Sequence, residues 1–171
     1  LPRVPAVLST PSAQIELMAE KLAGELDRLD QALSVAAAEG LLLVGRRHLR
    51  SNNSWMHNVP SLVSGQNRCT LQMHPEDASE RGLENGDLAD LASRVGRVRA
   101  PVEVSPDIMP GVVSLPHGWG HGQEGARLEV AATHRGVNSN TLTDGMALDP
   151  LSGNAVLNGI PVVVAACEKN R

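Results

Sequence analysis

"TLQMHPEDASERGLENGDLADLASRVGRVRAPVEV", Thr70 to Val104, is the stretch that decides the fold class. Thr70 to Met73 alternates polar and apolar side chains, as a strand with one buried face does. Pro75 then opens a helical turn, where its missing N–H costs nothing and where Glu76 and Asp77 favour the positive end of the helix dipole. Gly82 stops that helix, "ENGD" reads as a turn and Leu88 to Ser93 as a strand. "RVG" is a hairpin turn, and Arg97 to Val104 is a second strand carrying Val98, Ala100, Val102 and Val104 on one face. Strand, short helix, turn and hairpin in such quick order predict a mainly β chain with short helices. The carboxylates of this block resemble a catalytic cluster only until that punctuation is read; caps, turns and solvated positions account for them.

Outward from the block, the pattern continues. "LLLVG", Leu41 to Gly45, is a short apolar run suited to a buried strand, expected to be central. Val112 to Leu115 and Ile160 to Ala166 supply two more strands. Leu22, Leu26, Leu29 and Leu33 recur at spacings of four and three, which predicts a helix over Glu20 to Ala38 after a proline-rich lead. The core has unusual constraints: there is no Phe or Tyr, and the two tryptophans, Trp55 and Trp119, fall in glycine- or asparagine-rich segments. Val, Leu, Ile, Ala and Met must fill it.

A formal charge of -4 provides no general attraction for nucleic acid, so any anion site has to be local. Cys69 and Cys167 lie far apart with no CxxC pair, which indicates neither a zinc site nor a disulfide framework. No apolar run approaches the ~20 residues that cross a bilayer, and no signal peptide is visible, so a cytoplasmic location is expected. The chain starts at "LPRVPAVLSTPS" without a methionine, and an upstream region is expected before it.

Three polar segments stand out from this framework. "GRRHLRSNNSWMHN", Gly45 to Asn58, follows the first strand with guanidinium, amide and imidazole groups that cannot fill a core. "HGWGHG" begins at His117. Its His117 and His121 have the four-residue spacing of helical metal ligands, but Gly118 and Gly120 argue against a helix and no acidic partner accompanies them. The glycines suit close approach of backbone N–H groups to a ligand, with Trp119 as a stacking face, or else a tight turn with the tryptophan folded back as a lid on the core. "NSNT", Asn138 to Thr141, offers amides and hydroxyls that can read a heterocycle or cap a helix. Nothing in the chain has the order of a Ser/His/Asp triad, a P-loop or a GxGxxG fingerprint.

Six fragments in order, "TPSAQIELMAEKL", "GRRHLRSNNSWMHN", "HPEDASERGLENGD", "IMPGVVSLPHGWGH", "GVNSNTLTD" and "LDPLSGNAVLNGIPV", resemble the C-terminal domain of the molybdopterin oxidoreductases, the dimethyl sulfoxide reductase and formate dehydrogenase superfamily. The resemblance implies a double-psi β-barrel over residues 41–171, preceded by an N-terminal helical segment, residues 1–40, joined to the upstream domains of one parent polypeptide. It implies binding of part of a bis-molybdopterin guanine dinucleotide. The residues implied are Gly45, Arg46, Arg47, Ser51, Asn53, Ser54, Trp55, Met56, His57 and Asn58 in a first loop. His117, Gly118, Trp119, Gly120 and His121 form a second, and Asn138, Asn140 and Thr141 a third. The match includes no catalytic residue and no protein ligand for Mo or W, and any iron-sulfur cluster would belong to the upstream part. The alternative left open is an adaptor module, since double-psi barrels also serve protein recognition; a small histidine-based metal hydrolase is a third reading. Arg46 and Arg47, adjacent at a strand end, are expected to diverge, one toward the cofactor and one bracing the loop or a neighbouring domain.

Overall fold

In the computed structural model, residues 3, 4, 6–34 and 40–167 are described. They divide into two compact units, the N-terminal segment with Asp149–Gly153, and the remainder. In the first unit, α1 (Glu20–Ser34) carries the four leucines of the helical pattern, and none of its residues is buried. Arg28 pairs with Glu25 at 2.5 Å one turn back. The expected extension of this helix to Ala38 lies outside the described residues.

The second unit is a closed barrel of six strands, β1 (Leu41–Arg46), β2 (Leu71–Met73), β3 (Leu88–Ala92), β4 (Arg97–Val104), β5 (Val112–Pro116) and β6 (Ile160–Ala166). Their order around the wall is β1-β5-β2-β4-β3-β6. Two pairs, β1 with β5 and β2 with β4, are parallel, and the other four are antiparallel. This closed, mainly β architecture with few short helices is the double-psi barrel expected from the sequence. Closure leaves no strand at an edge, so β1 pairs on both sides as expected, but it shares that position with every other strand. Between β1 and β2 the chain forms a one-turn helix, α2 (Pro60–Val63), opened by its proline.

Alternation decides which side chains face inward. Along β6, Ile160, Val162 and Val164 are buried while Pro161, Val163 and Ala165 are exposed, the period of two that a strand imposes. Leu41, Leu43, Leu71, Met73, Leu91, Val102, Val113 and Leu115 meet these residues in one aliphatic core. Full burial of a side chain of this size stabilises by about 1.5–3 kcal/mol.

The block from Thr70 to Val104 folds as its punctuation predicts. α3 (Pro75–Glu80) has Pro75 in its first turn, and its N-cap His74 accepts a hydrogen bond from the Glu76 N–H at 3.2 Å. Asp87 accepts from Glu84 N–H at 2.9 Å in the turn before β3. Two carboxylates depart from the expected solvated role. Asp77 is buried and accepts from Gly111 N–H at 2.8 Å, tying α3 to the turn that launches β5. Glu103 joins the arginine network described below.

Parallel pairing of β1 with β5, in register from Leu42 opposite Val112 to Arg46 opposite Pro116, sets the position of the site. Both strands end at the same rim of the barrel. The chain segments leaving them, loop 1 (residues 47–59) and loop 2 (residues 117–128), are therefore neighbours, although about 70 residues separate them in sequence.

Candidate functional site

Loop 1 belongs to a segment of one charge sign. From Gly40 to Pro75 the chain carries Arg46, Arg47, Arg50 and Arg68 and no Asp or Glu, in a protein whose net charge is -4. The cations for a local anion site are gathered here, although the arginines are used differently.

Arg46 is turned into the structure. Its Nη1 donates to Gln72 Oε1 at 3.1 Å and Ser114 O at 3.2 Å, and its Nη2 to Thr70 O and Oγ1, both at 3.0 Å. Nε faces His48 Nε2 at 3.5 Å. All five donors of the guanidinium thus have protein acceptors. Glu103 lies 3.8 Å away and accepts from Gln72 Nε2 at 3.0 Å and from the Thr70 hydroxyl. Burial lowers the Arg46 pKa and the nearby Glu103 partly opposes it. Burial also acts to raise the Glu103 pKa, but the bonds from Thr70 and Gln72 and the charge of Arg46 outweigh it and hold the carboxyl below its usual range. A recess of about 660 Å³ adjoins this network, lined also by Arg68. Arg68 is bonded as well, to the carbonyls of Leu62 and Ser64 at 3.0 and 2.9 Å. The cations of that recess are already engaged.

Arg47 points the other way and is exposed, with one bond to Asn53 Oδ1. It lines two recesses at once. One, of about 690 Å³, runs along loop 1 past Arg50, Ser51, Asn52, Asn53 and Met56. The other, of about 250 Å³, brings together Gly45, Arg47, His117, Ser139, Asn140 and Asn158 over an apolar floor that includes Leu43, Leu115 and Ile160. This smaller pocket draws on all three segments singled out in the sequence. Ser139, Thr143 and Asn158 extend its lining beyond the residues that the resemblance implies. Asn158 Oδ1 accepts from Gly45 N–H at 2.7 Å, so it fixes the strand end from 113 residues away. The only local signal in "LNGI" is a turn.

Some of the backbone N–H groups of loop 2 that the glycines were expected to offer a ligand are already bonded within the protein. Gly120 and His121 both donate their N–H groups to Arg135 O at 2.9 Å, and His117 donates to Arg46 O at 2.9 Å. What the glycines permit is contact between loops. A Cβ on Gly118 would lie 2.0 Å from Asn53 O, and one on Gly120 would lie 2.7 Å from Asn138 Cβ. Both have positive φ, +92° and +113°. Gly118 keys loop 2 to loop 1, and Gly120 keys it to the third loop. Asn138 in turn accepts from Asn140 N–H at 3.0 Å at the start of the 3-10 turn Ser139–Leu142. Thr141 is exposed, and its carbonyl packs against Gly96 of the β3–β4 hairpin.

The two tryptophans separate in the same way as the arginines. Trp55 is 79% exposed, whereas Trp119 is 8% exposed and stacks on His57 with ring centroids 4.0 Å apart. Trp119 is folded inward as the second sequence reading has it, but it packs on the His57 ring and is not among the residues of the aliphatic core. His57 is 1% exposed, and its Nδ1 lies 2.7 Å from His121 Nε2. Burial lowers the His57 pKa to about 4, the neighbouring His121 adds to the effect, and the Gly118 carbonyl opposes it. Burial lowers His121 as well. Among the described residues no group of His, Cys, Asp and Glu is arranged to hold a metal ion.

The remaining loop 1 residues are structural in their contacts. Ser51 is buried and donates to His48 O at 2.9 Å. Ser54 precedes the 3-10 turn Trp55–Asn58. Asn58 Oδ1 accepts from the N–H groups of Val130 and Ala131 at 3.0 and 3.1 Å, capping the short helix α4 (Glu129–Thr133) from across the site.

Residues 41–161 match the family described as molydopterin dinucleotide binding domain. The chain belongs to this family. Among curated relatives, this molybdopterin dinucleotide-binding domain is 31% identical over 132 residues to the putative dimethyl sulfoxide reductase chain YnfE of Escherichia coli, covering 67% of this chain and 16% of that protein. It is 30% identical over 125 residues to a subunit of the tetrathionate reductase of Salmonella typhimurium, covering 62% of this chain and 12% of that protein. The chain therefore spans less than a fifth of the length of either relative. Among solved structures, acetylene hydratase from Pelobacter acetylenicus shares the fold with a TM-score of 0.63 at 23% identity, over 90% of this chain and 21% of that one.

The donor set fits a pterin dinucleotide. A flat heterocycle rich in N–H and carbonyl groups needs amides and hydroxyls, which Ser139, Asn140, Thr143 and Asn158 supply, and a diphosphate needs a guanidinium with donors to spare, which Arg47, bonded through one nitrogen to Asn53, supplies. No helix among the described residues is long and apolar enough to cross a membrane.

Proposed function

We propose that this domain forms one wall of a bis-molybdopterin guanine dinucleotide site in a larger molybdenum- or tungsten-dependent oxidoreductase, the rest of the site coming from upstream domains of the same polypeptide. The observation that carries the reading is the pocket where Gly45 and Arg47 of the β1 end, His117 of loop 2 and Asn140 of the third loop converge. The metal carried by the pterin would supply the exchange of electrons or of an oxygen atom. The residues of this chain bind and orient. Arg47 pairs with diphosphate or pterin oxygens, Asn140 and Asn158 hydrogen-bond the heterocycle, and the exposed Trp55 offers a flat apolar surface beside them. Arg46, His57, Ser51, Asn58 and Trp119 hold the loops in place from beneath. Iron-sulfur clusters, where the parent has them, belong to other domains.

Because one wall provides only part of the contact, the 171-residue chain purified alone should retain no stoichiometric pterin. The parent enzyme should retain it, and Asn140→Ala should reduce pterin released on oxidation from that parent while leaving the unfolding midpoint of the cofactor-free chain unchanged. Full pterin content in the Asn140→Ala parent would count against the pocket.

A further inference from the structure

Two buried nitrogen atoms, His57 Nε2 and Trp119 Nε1, have no hydrogen-bond partner among the described residues. Their side chains are 1% and 8% exposed. Both side chains line one small recess of about 10 Å³, together with His48, Arg50, Ser51, Leu62, Val63 and Arg68. Leaving two polar groups dry would cost about 1–3 kcal/mol each. A cavity of roughly this size, about one probe sphere, is the smallest that holds a water molecule, and such a water needs two to four polar partners. The wall provides at least three: the indole N–H, the imidazole nitrogen and the hydroxyl of Ser51, whose own proton goes to His48 O, while Arg50, Arg68 and His48 complete its polar lining.

We infer that one structural water molecule binds between loops 1 and 2, accepting from Trp119 Nε1–H and donating to His57 Nε2 and Ser51 Oγ. This assignment fixes more than the water. If Nε2 of His57 accepts, the ring proton sits on Nδ1 and is donated across 2.7 Å to His121 Nε2. His121 then carries its own proton on Nδ1. The array runs in one direction, from Trp119 through water and His57 to His121. The competing arrangement puts the His57 proton on Nε2, which leaves Nδ1 to accept from His121 Nε2–H across the same 2.7 Å. The Gly118 backbone acts to raise the His57 pKa, as an acceptor near the ring does, so the tautomer has to be read directly. Resting on the cofactor reading above, the consequence is that half-buried His121 offers a ligand oxygen an N–H donor rather than a lone pair.

The test uses the cofactor-free chain, so its outcome is independent of whether the loops hold a pterin. Long-range proton–nitrogen correlation at neutral pH reads the histidine tautomers, and cross-relaxation with solvent reads long-lived water beside the indole N–H of Trp119. The expected result is a single Nδ1–H tautomer for His57 and a persistent water cross-peak at Trp119. Ser51→Ala should weaken that cross-peak, and Trp119→Phe should abolish the water contact at His57. Where the tryptophan variant does not fold, the unsubstituted chain and Ser51→Ala decide alone. A proton on His57 Nε2, or a Trp119 N–H without a water cross-peak, overturns the inference.

Discussion

Arg46 and Arg47 are adjacent in sequence, and Trp55 and Trp119 are alike in type, yet each pair splits between two regions of one rim. The inner region, Arg46, His57 and Trp119, is withdrawn from solvent and held by contacts within the protein. The outer region, Arg47, Trp55 and Asn140, faces solvent, and among the described residues Arg47 bonds only to Asn53. A ligand can use only groups that the fold has not already saturated. The difference teaches that residue type marks the site while partner count assigns the role. Substitutions in the inner region should therefore act on stability, and substitutions in the outer region on cofactor retention.

The largest effect should come from Gly118→Ala. A methyl group 2.0 Å from Asn53 O cannot be accommodated, and φ of +92° adds strain of its own, so loops 1 and 2 must part. Backbone strain of this kind alone costs about 1–3 kcal/mol, and urea unfolding should register at least that. An unchanged midpoint would break the claim that loop 2 is a key between loops. Next, Arg46→Lys retains the charge but loses the fork, and should cost about 1.5–3 kcal/mol, the range for hydrogen bonds to a charged group.

Acid should act on the inner region through His57. Its folded pKa of about 4 lies below the ordinary value of 6.5, so protons favour the unfolded chain. Stability attributable to this group is complete above about pH 6.5 and is lost as the pH falls toward 4. His57→Gln should flatten the profile across that window; an identical slope would place the acid sensitivity elsewhere. Smaller still, Asn58→Ala removes the two bonds capping α4 and should cost about 1 kcal/mol, typical of a lost helix cap.

The barrel was legible because strand alternation and turn residues are local signals. β4 and β6 have the bounds read from the sequence, and Pro75 opens α3 as its chemistry requires. The three polar segments were legible as a candidate site through composition and resemblance. That Arg46 and Arg47 diverge was legible from their adjacency at a strand end, but which side each segment residue takes was not, because the deciding contacts are distant: Glu103 with Arg46, Asn158 with Gly45, and Asn58 with Val130. Gly118 and Gly120 were readable as points of close approach, but only the folded chain reveals that the approaching groups are Asn53 and Asn138.

The sharpest test pairs Arg46→Lys with Arg47→Lys, measuring molybdopterin content in the parent enzyme and the thermal midpoint in the cofactor-free 171-residue chain. Arg47→Lys should lose cofactor clearly while the stability of the cofactor-free chain changes by less than about 0.5 kcal/mol, as expected for an exposed side chain. Arg46→Lys should lower the midpoint, and any loss of cofactor should follow that unfolding. Full pterin content in Arg47→Lys, or cofactor loss in Arg46→Lys without any loss of stability, would contradict the division of the rim into a bracing half and a binding half.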